Sequence, residues 1–149
     1  MDCDSCKYAN NKIDLIFETN HWRIFLASDQ TYLGRSIVDC KRHASSLSDL
    51  SKDEWLDFAE VVKKFEKAIK KSFNADLFNW SSLMNHAYQQ KPFNPHVHFH
   101  VRPRYEKEAS FAETIFKDTN FGKHYDRVMH TEIPVEIRKK IIEKIKKNL

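Results

Sequence analysis

Long apolar runs are missing from this 149-residue chain, and no stretch approaches the roughly 20 apolar residues that a membrane-spanning helix requires. The first residues, Met1, Asp2, Cys3 and Asp4, lack both the positive region and the apolar core of a secretory leader, so a cytoplasmic protein is expected. Cysteine is scarce and odd in number, three in all, which argues against a disulfide framework; two of them, Cys3 and Cys6, are instead spaced Cys-x-x-Cys. Glycine is scarcer still, with Gly34 and Gly122 alone, and internal repeats and low-complexity segments are absent. Neither sign of charge dominates: 25 Lys and Arg against 21 Asp and Glu leave +4, much of it between residues 138 and 147. Such an excess solubilises a helix or favours anionic ligands without marking a nucleic-acid binder.

What is present is the composition of an ordinary globular protein, 41% hydrophobic and 31% charged, of a length suited to one domain over residues 1–149. A chain of this size buries about two thirds of the surface its unfolded form exposes.

The informative stretch is 95–105, Pro-His-Val-His-Phe-His-Val-Arg-Pro-Arg-Tyr. His96, His98 and His100 alternate with Val97, Phe99 and Val101, the pattern of a strand whose apolar face is buried. The imidazoles then share the other face, roughly 7 Å apart at about 3.3 Å per residue. A lone histidine is ordinarily structural, but three in alternation each need a partner or solvent, and imidazole titrates nearest neutral pH. Continuing the pleat adds Arg102 and Arg104 to that face, where guanidinium groups could grip an anionic substrate. Acid–base or nucleophilic groups beside fixed positive charge suggest phosphate chemistry.

The histidine pattern resembles the histidine triad (HIT) family of nucleotide hydrolases and transferases. The likeness extends to Gly34-Arg35-Ser36-Ile37-Val38, to Lys41-Arg42-His43, and to Leu47-Ser48-Asp49-Leu50 with Glu54, and so spans most of residues 3–105. The resemblance implies that His98 attacks the α-phosphorus of a nucleoside phosphate derivative, such as a dinucleoside polyphosphate or a nucleoside phosphoramidate. A nucleotidyl-histidine intermediate is then broken down by water, which splits one hard displacement into two. His100 and Arg102 would stabilise phosphoryl oxygens and leaving group. Asp29, in the loop 28–33, is the nearest candidate for ribose, and Asn79 and Asn85 are candidates for the nucleotide, although loop backbone could equally occupy both asparagines. A homodimer is implied too.

Two departures stand out. Where many members carry Gly-Gln-Ser/Thr before the triad, this chain has Pro92 and Phe93, and Arg102 replaces a usually apolar residue. Arg102 is a substitute for the missing phosphate contact, or simply solvated.

Cys3 and Cys6 present half of a tetrahedral site for an ion such as zinc. By resemblance to zinc-carrying members, His43 and His96 complete it, giving His96 a structural role distinct from that of the nucleophile.

The fold expected is α+β: an antiparallel sheet of about five strands, one long helix packed on it and a C-terminal helix in an extension over 106–149. Residues 13–18 and 22–27 read as a hairpin, 35–38 as a third strand and 77–85 as a fourth, with the triad strand fifth. Ser51-Lys52-Asp53-Glu54 is a capping box opening a helix to about Ser72, with an apolar stripe of Trp55, Phe58, Ala59, Val62, Phe65, Ala68 and Ile69. Pro134 suits the start of the last helix, whose stripe is Ile137, Ile141, Ile142 and Ile145. Three rivals remain: a catalytic metal cage at His98 or His100, a nucleotide-binding module without turnover, and a nucleotidyltransferase in which a nucleophile other than water accepts the nucleotide.

Overall fold

A computed structural model describes residues 3–149. A short helix α1 (Asp4–Tyr8) leads into strands β1 (Leu15–Glu18), β2 (Trp22–Leu26) and β3 (Ser36–Cys40). Helix α2 (Lys52–Phe73) follows, then β4 (Leu77–Ser81) and the triad strand β5 (His98–Arg104). A small hairpin, β6 (Ala109–Phe111) with β7 (Thr114–Phe116), and helix α3 (Val135–Lys146) complete the chain. The five-stranded sheet runs β1-β2-β3-β5-β4, with every neighbouring pair antiparallel. The triad strand is therefore central, held on both sides.

The expected α+β architecture is present, with local differences. The N-terminal residues form α1, which sequence reading leaves without structure. The fourth strand stops at Ser81 rather than Asn85, because the chain turns away into the loop that forms one side of the site. The hairpin β6–β7 carries no strong alternation and was not expected.

Helix α2 starts as the capping box predicts: Ser51 Oγ accepts from Glu54 N at 3.2 Å, and Glu54 Oε2 accepts from Ser51 N at 2.7 Å. It ends at Asn74, whose left-handed φ of 59° suits the short polar side chain. Its buried apolar residues are Val61, Phe65, Ala68, Ile69 and Phe73. The stripe is rotated from the expected one: Val61 replaces Val62, while Trp55 and Ala59 lie toward solvent, although Trp22 Nε1 still donates to the Glu54 carbonyl at 2.9 Å and so holds this end of the helix to the sheet.

The alternation in β5 divides the molecule. Phe99 and Val101 face α2, where Phe99 stacks on Phe58 at 4.2 Å between ring centroids and Trp22 closes the cluster. Side chains of this size stabilise by about 1.5–3 kcal/mol each when fully buried. The pleat sends His98, His100, Arg102 and Arg104 to the opposite face. That face is covered in part by the segment after β7, so both sides of the sheet are sheltered.

Gly34 enters β3 with φ +83°, and a Cβ there would meet Ile69 Cδ1 at 2.9 Å, so both backbone conformation and helix packing require glycine. Helix α3 buries Ile141, Ile142 and Ile145 and rests on α2 and β1. Its Arg138 pairs with Asp14 at 3.2 Å.

Candidate active site and metal cluster

The three histidines divide into two functions two residues apart. His96 lies just ahead of β5 and is buried. Its Nε2–H donates to the Cys40 carbonyl at 2.7 Å, which leaves Nδ1 as a lone pair directed at the cysteines. Around that nitrogen stand Cys3 Sγ at 3.4 Å, Cys6 Sγ at 3.6 Å and His43 Nδ1 at 3.2 Å, while Cys6 Sγ lies 3.7 Å from His43 Nδ1. All four ligand atoms fall within 4.8 Å of one another. Bonds of about 2.0–2.3 Å to a tetrahedral zinc put its ligands about 3.3–3.8 Å apart, which the observed separations of 3.2–3.7 Å match. Burial, and then the neighbouring Cys3, push the Cys6 thiol up to about 11. His43 is shifted down, first by burial and then by repulsion from His96.

His98 turns the other way. Its Nδ1–H donates to the His96 carbonyl at 2.8 Å, so Nε2 carries the lone pair, and that nitrogen lies 3.2 Å from His100 Nε2. Ser82 Oγ donates to the His98 carbonyl at 2.9 Å, tying the loop after β4 to the same residue. His100 is held neutral: burial first, then the charges of His98, Arg102 and Arg35, lower it to about 3. A neutral His100 donates Nε2–H toward His98 and leaves Nδ1 buried without a partner. Asp39, opposite His98 in the register, was not foreseen; burial raises it to about 6, and its Oδ1 lies 3.6 Å from His96 Nε2.

Two cavities meet this face. One, of about 510 Å³, is lined by the three histidines together with Met84, Gln90 and Lys91. The other, of about 540 Å³, lies farther along the strands between Phe25, Ile37, Arg35, Arg102 and Tyr125. Leu83 belongs to both.

The remaining candidates separate. Arg102 lines the second cavity, with its guanidinium 3.9 Å above the Tyr125 ring. Asp29 lines it too, but both of its oxygens are occupied: Oδ1 accepts from Thr31 N, Thr31 Oγ1 and Thr131 N, and Oδ2 is paired with Arg35 and His130. Asn79 accepts from Arg104 Nη1 at 2.8 Å, and Asn85 is exposed at the start of a 3₁₀ turn. Arg104, expected on the substrate-gripping face, is on that face and fully buried, bound to Asp118 and to the carbonyls of Asn120 and Lys123. The partners Asp118, Tyr125 and His130 come from a segment without hydrophobic periodicity, and nothing in its sequence connects it to the triad. Arg35 could have been found only from the strand register.

Comparison with known proteins agrees with this geometry. The profile of the HIT domain matches residues 9–107. The chain is 32% identical over 110 residues to an adenosine 5'-monophosphoramidase of Schizosaccharomyces pombe, covering 72% of this chain and 78% of that protein. Among solved structures it is similar to a hypothetical histidine triad nucleotide-binding protein from Sulfolobus tokodaii, with a TM-score of 0.74, 21% identity and coverage of 98% of this chain and 91% of the other. A zinc-bound histidine triad family protein from Mycobacterium smegmatis superposes with a TM-score of 0.66 at 20% identity, covering 99% and 93% of the two chains.

Proposed function

Because the chain belongs to the HIT domain family, we propose that it is a nucleotide hydrolase in which His98 Nε2 attacks the α-phosphorus of a nucleoside phosphoramidate or dinucleoside polyphosphate. The observation that carries this reading is the His98 tautomer. With Nδ1–H given to the His96 carbonyl, the lone pair sits on Nε2, where it bonds to phosphorus as the bond to the leaving group breaks and the His100 N–H that it accepts turns to the substrate. The same carbonyl then stabilises the positive charge that develops on the ring. His100, kept neutral by burial, presents its Nε2–H beside the reacting atom for a phosphoryl oxygen or the departing group. Water breaks the P–N bond in the second step, releasing the nucleoside monophosphate and restoring His98. The family relative active on a phosphoramidate supports the reaction class.

The apolar and aromatic walls of the cavity beside Phe25, Ile37 and Tyr125 suit a nucleoside. The amide and lysine lining of the other, at Gln90 and Lys91, suits a leaving group. Cys3, Cys6, His43 and His96 would hold a structural zinc ion, which when bound cross-links α1 to the start of β5. The set is closed, with four protein ligands and no open position for substrate. A zinc-bound relative supports this assignment.

The test is incubation of wild type and His98→Ala with adenosine and guanosine 5'-phosphoramidates and with dinucleoside polyphosphates. Expected are 5'-monophosphate release by wild type and a nucleotidyl adduct on the His98 peptide by mass spectrometry. Equal release by the variant, or nucleotide binding with no release by wild type, would overturn the reading.

A further inference from the structure

Arg35 and Arg102 form a charge arrangement that hydrolysis at His98 does not use. In the antiparallel pairing of β3 with β5, Ile37 faces His100 and Ser36 faces Val101, which puts Arg35 directly opposite Arg102. Like charges so placed repel, and here the shelter of the cavity removes much of the water that would screen them. Arg102 is only 8% exposed. Burial lowers Arg35 to about 10, with repulsion from Arg102 as the second cause.

The two are not compensated equally. Asp29 neutralises Arg35. No described carboxylate pairs with Arg102, whose guanidinium carbon lies 3.9 Å from the centre of the Tyr125 ring and whose Nη1 has no hydrogen-bond partner. Asp126, the other acidic residue on the cavity wall, is engaged through Oδ1, which accepts from Val128 N and Met129 N, and forms no ion pair with Arg102. A buried cation costs several kcal/mol unless an anion offsets it, and the ring face of a tyrosine supplies only part of that.

The position specifies which anion. Arg102 is two residues beyond His100, about 6.6 Å along the strand, on the side of the nucleoside cavity and away from Gln90 and Lys91. A nucleotide spans a similar distance from its 5'-phosphorus to its ribose hydroxyls. A free ribose hydroxyl calls for an acceptor such as a carboxylate, whereas a phosphorylated one calls for arginine; dinucleotide-binding folds separate their two cofactors in this way. Here Asp29 is saturated by protein donors, and two arginines, Arg35 and Arg102, line the cavity beside it.

We propose that Arg102, seated on Tyr125 and flanked by Arg35, is a subsite for a phosphate on the 2'- or 3'-position of the ribose, so that the preferred substrates are nucleotides with a second phosphate on the sugar. This rests on the nucleoside half occupying the cavity beside Tyr125. His130, paired with Asp29 Oδ2 at 3.3 Å, helps keep that carboxylate engaged and the arginine site cationic.

The experiment is calorimetric titration of the full-length, zinc-loaded protein with adenosine and guanosine 5'-monophosphates and with their 2',5'- and 3',5'-bisphosphates. Arg102→Met and Arg102→Lys are measured beside wild type. At least one bisphosphate should bind wild type tenfold or more tightly than its monophosphate. Methionine should bring that ratio to within threefold of unity, and lysine should keep most of it. Removing an unpaired buried charge should leave the fold intact, which a thermal melt checks. A wild-type ratio near one overturns the proposal. So does a ratio unchanged in Arg102→Met with both affinities reduced, which would put the guanidinium on the 5'-phosphate. His98-dependent release of monophosphate from a phosphoramidate is measured in parallel. Turnover without bisphosphate preference overturns this inference alone, and the absence of both nucleotide binding and turnover overturns the hydrolase reading with it.

Discussion

Arg104 and Asp118 form an ion pair sealed from solvent, with side-chain exposures of 0% and 1% and an Nη2–Oδ1 hydrogen bond of 3.0 Å. The pair ties the segment that follows the small hairpin to the strand that carries the triad. That segment goes on to supply Tyr125 and His130 to the cavity that Arg102 lines. Removing one partner of such a pair leaves the other charge buried and uncompensated, at a cost of about 3–5 kcal/mol. Asp118→Ala should lose stability of that order in denaturant titration and weaken nucleotide binding. A loss under 1 kcal/mol would show that the segment is anchored by other contacts.

Metal removal should destabilise the N-terminus. Chelation of the zinc-loaded protein is expected to lower Tm, and a Cys3→Ser, Cys6→Ser double variant should begin at the lower value and ignore the chelator. Elemental analysis should find one zinc per chain in wild type. Because binding converts thiols to thiolates, and the Cys6 thiol is pushed up to about 11, zinc affinity should rise with pH and proton release should accompany uptake. A Tm indifferent to chelator would dismiss the cluster as a structural site.

His100 makes the fold sensitive to mild acid. Its folded pKa of about 3 lies below the ordinary 6.5, so between those values the unfolded chain binds a proton that the native state refuses. Stability from this group is complete above pH 6.5 and declines as pH falls toward 3, at up to about 1.4 kcal/mol per pH unit. Asp39, raised to about 6 by burial, works in the opposite sense, so the comparison must be with a variant. The stability difference between wild type and His100→Gln should shrink from pH 7 to pH 5. A constant difference would refute the shift.

The capping box offers a local test. Ser51→Ala should cost about 1 kcal/mol. Glu54→Gln should cost more, because Glu54 also accepts from Arg42 Nε and Nη2, both at 2.9 Å, and Arg42 holds its carboxyl at about 2. That contribution is present above pH 4.5 and lost only as pH falls toward 2, so the Glu54→Gln penalty should be unchanged between pH 5 and pH 8. Equal stability of the two variants would mean that the Arg42 pair adds nothing to the cap.

The sequence by itself determined the local features of this protein. Alternation at residues 96–101 announced a strand with one apolar face, because side chains on an extended backbone point to opposite sides whatever surrounds them. Ser51 and Glu54 marked the start of α2, because a capping box satisfies backbone groups within a single turn. The grouping of Cys3 and Cys6 with His43 and His96 came from family resemblance, and the structure brings those four ligand atoms together.

Tertiary structure decided what depends on register and on long-range cover. That Arg102 faces Arg35 follows from how β3 and β5 align, and alignment between strands is set by the packing of whole faces. That Thr131 and His130 complete the local partners of Asp29, and that Arg104 serves the fold rather than a ligand, depends on a segment 89 or more residues from Asp29 and 14 or more from Arg104 in sequence. Charged side chains carry no label for their partners: a buried arginine is a structural tie, as Arg104 is beside Asp118, or an unpaired cation, as Arg102 is, according to which carboxylate the distant chain brings within reach.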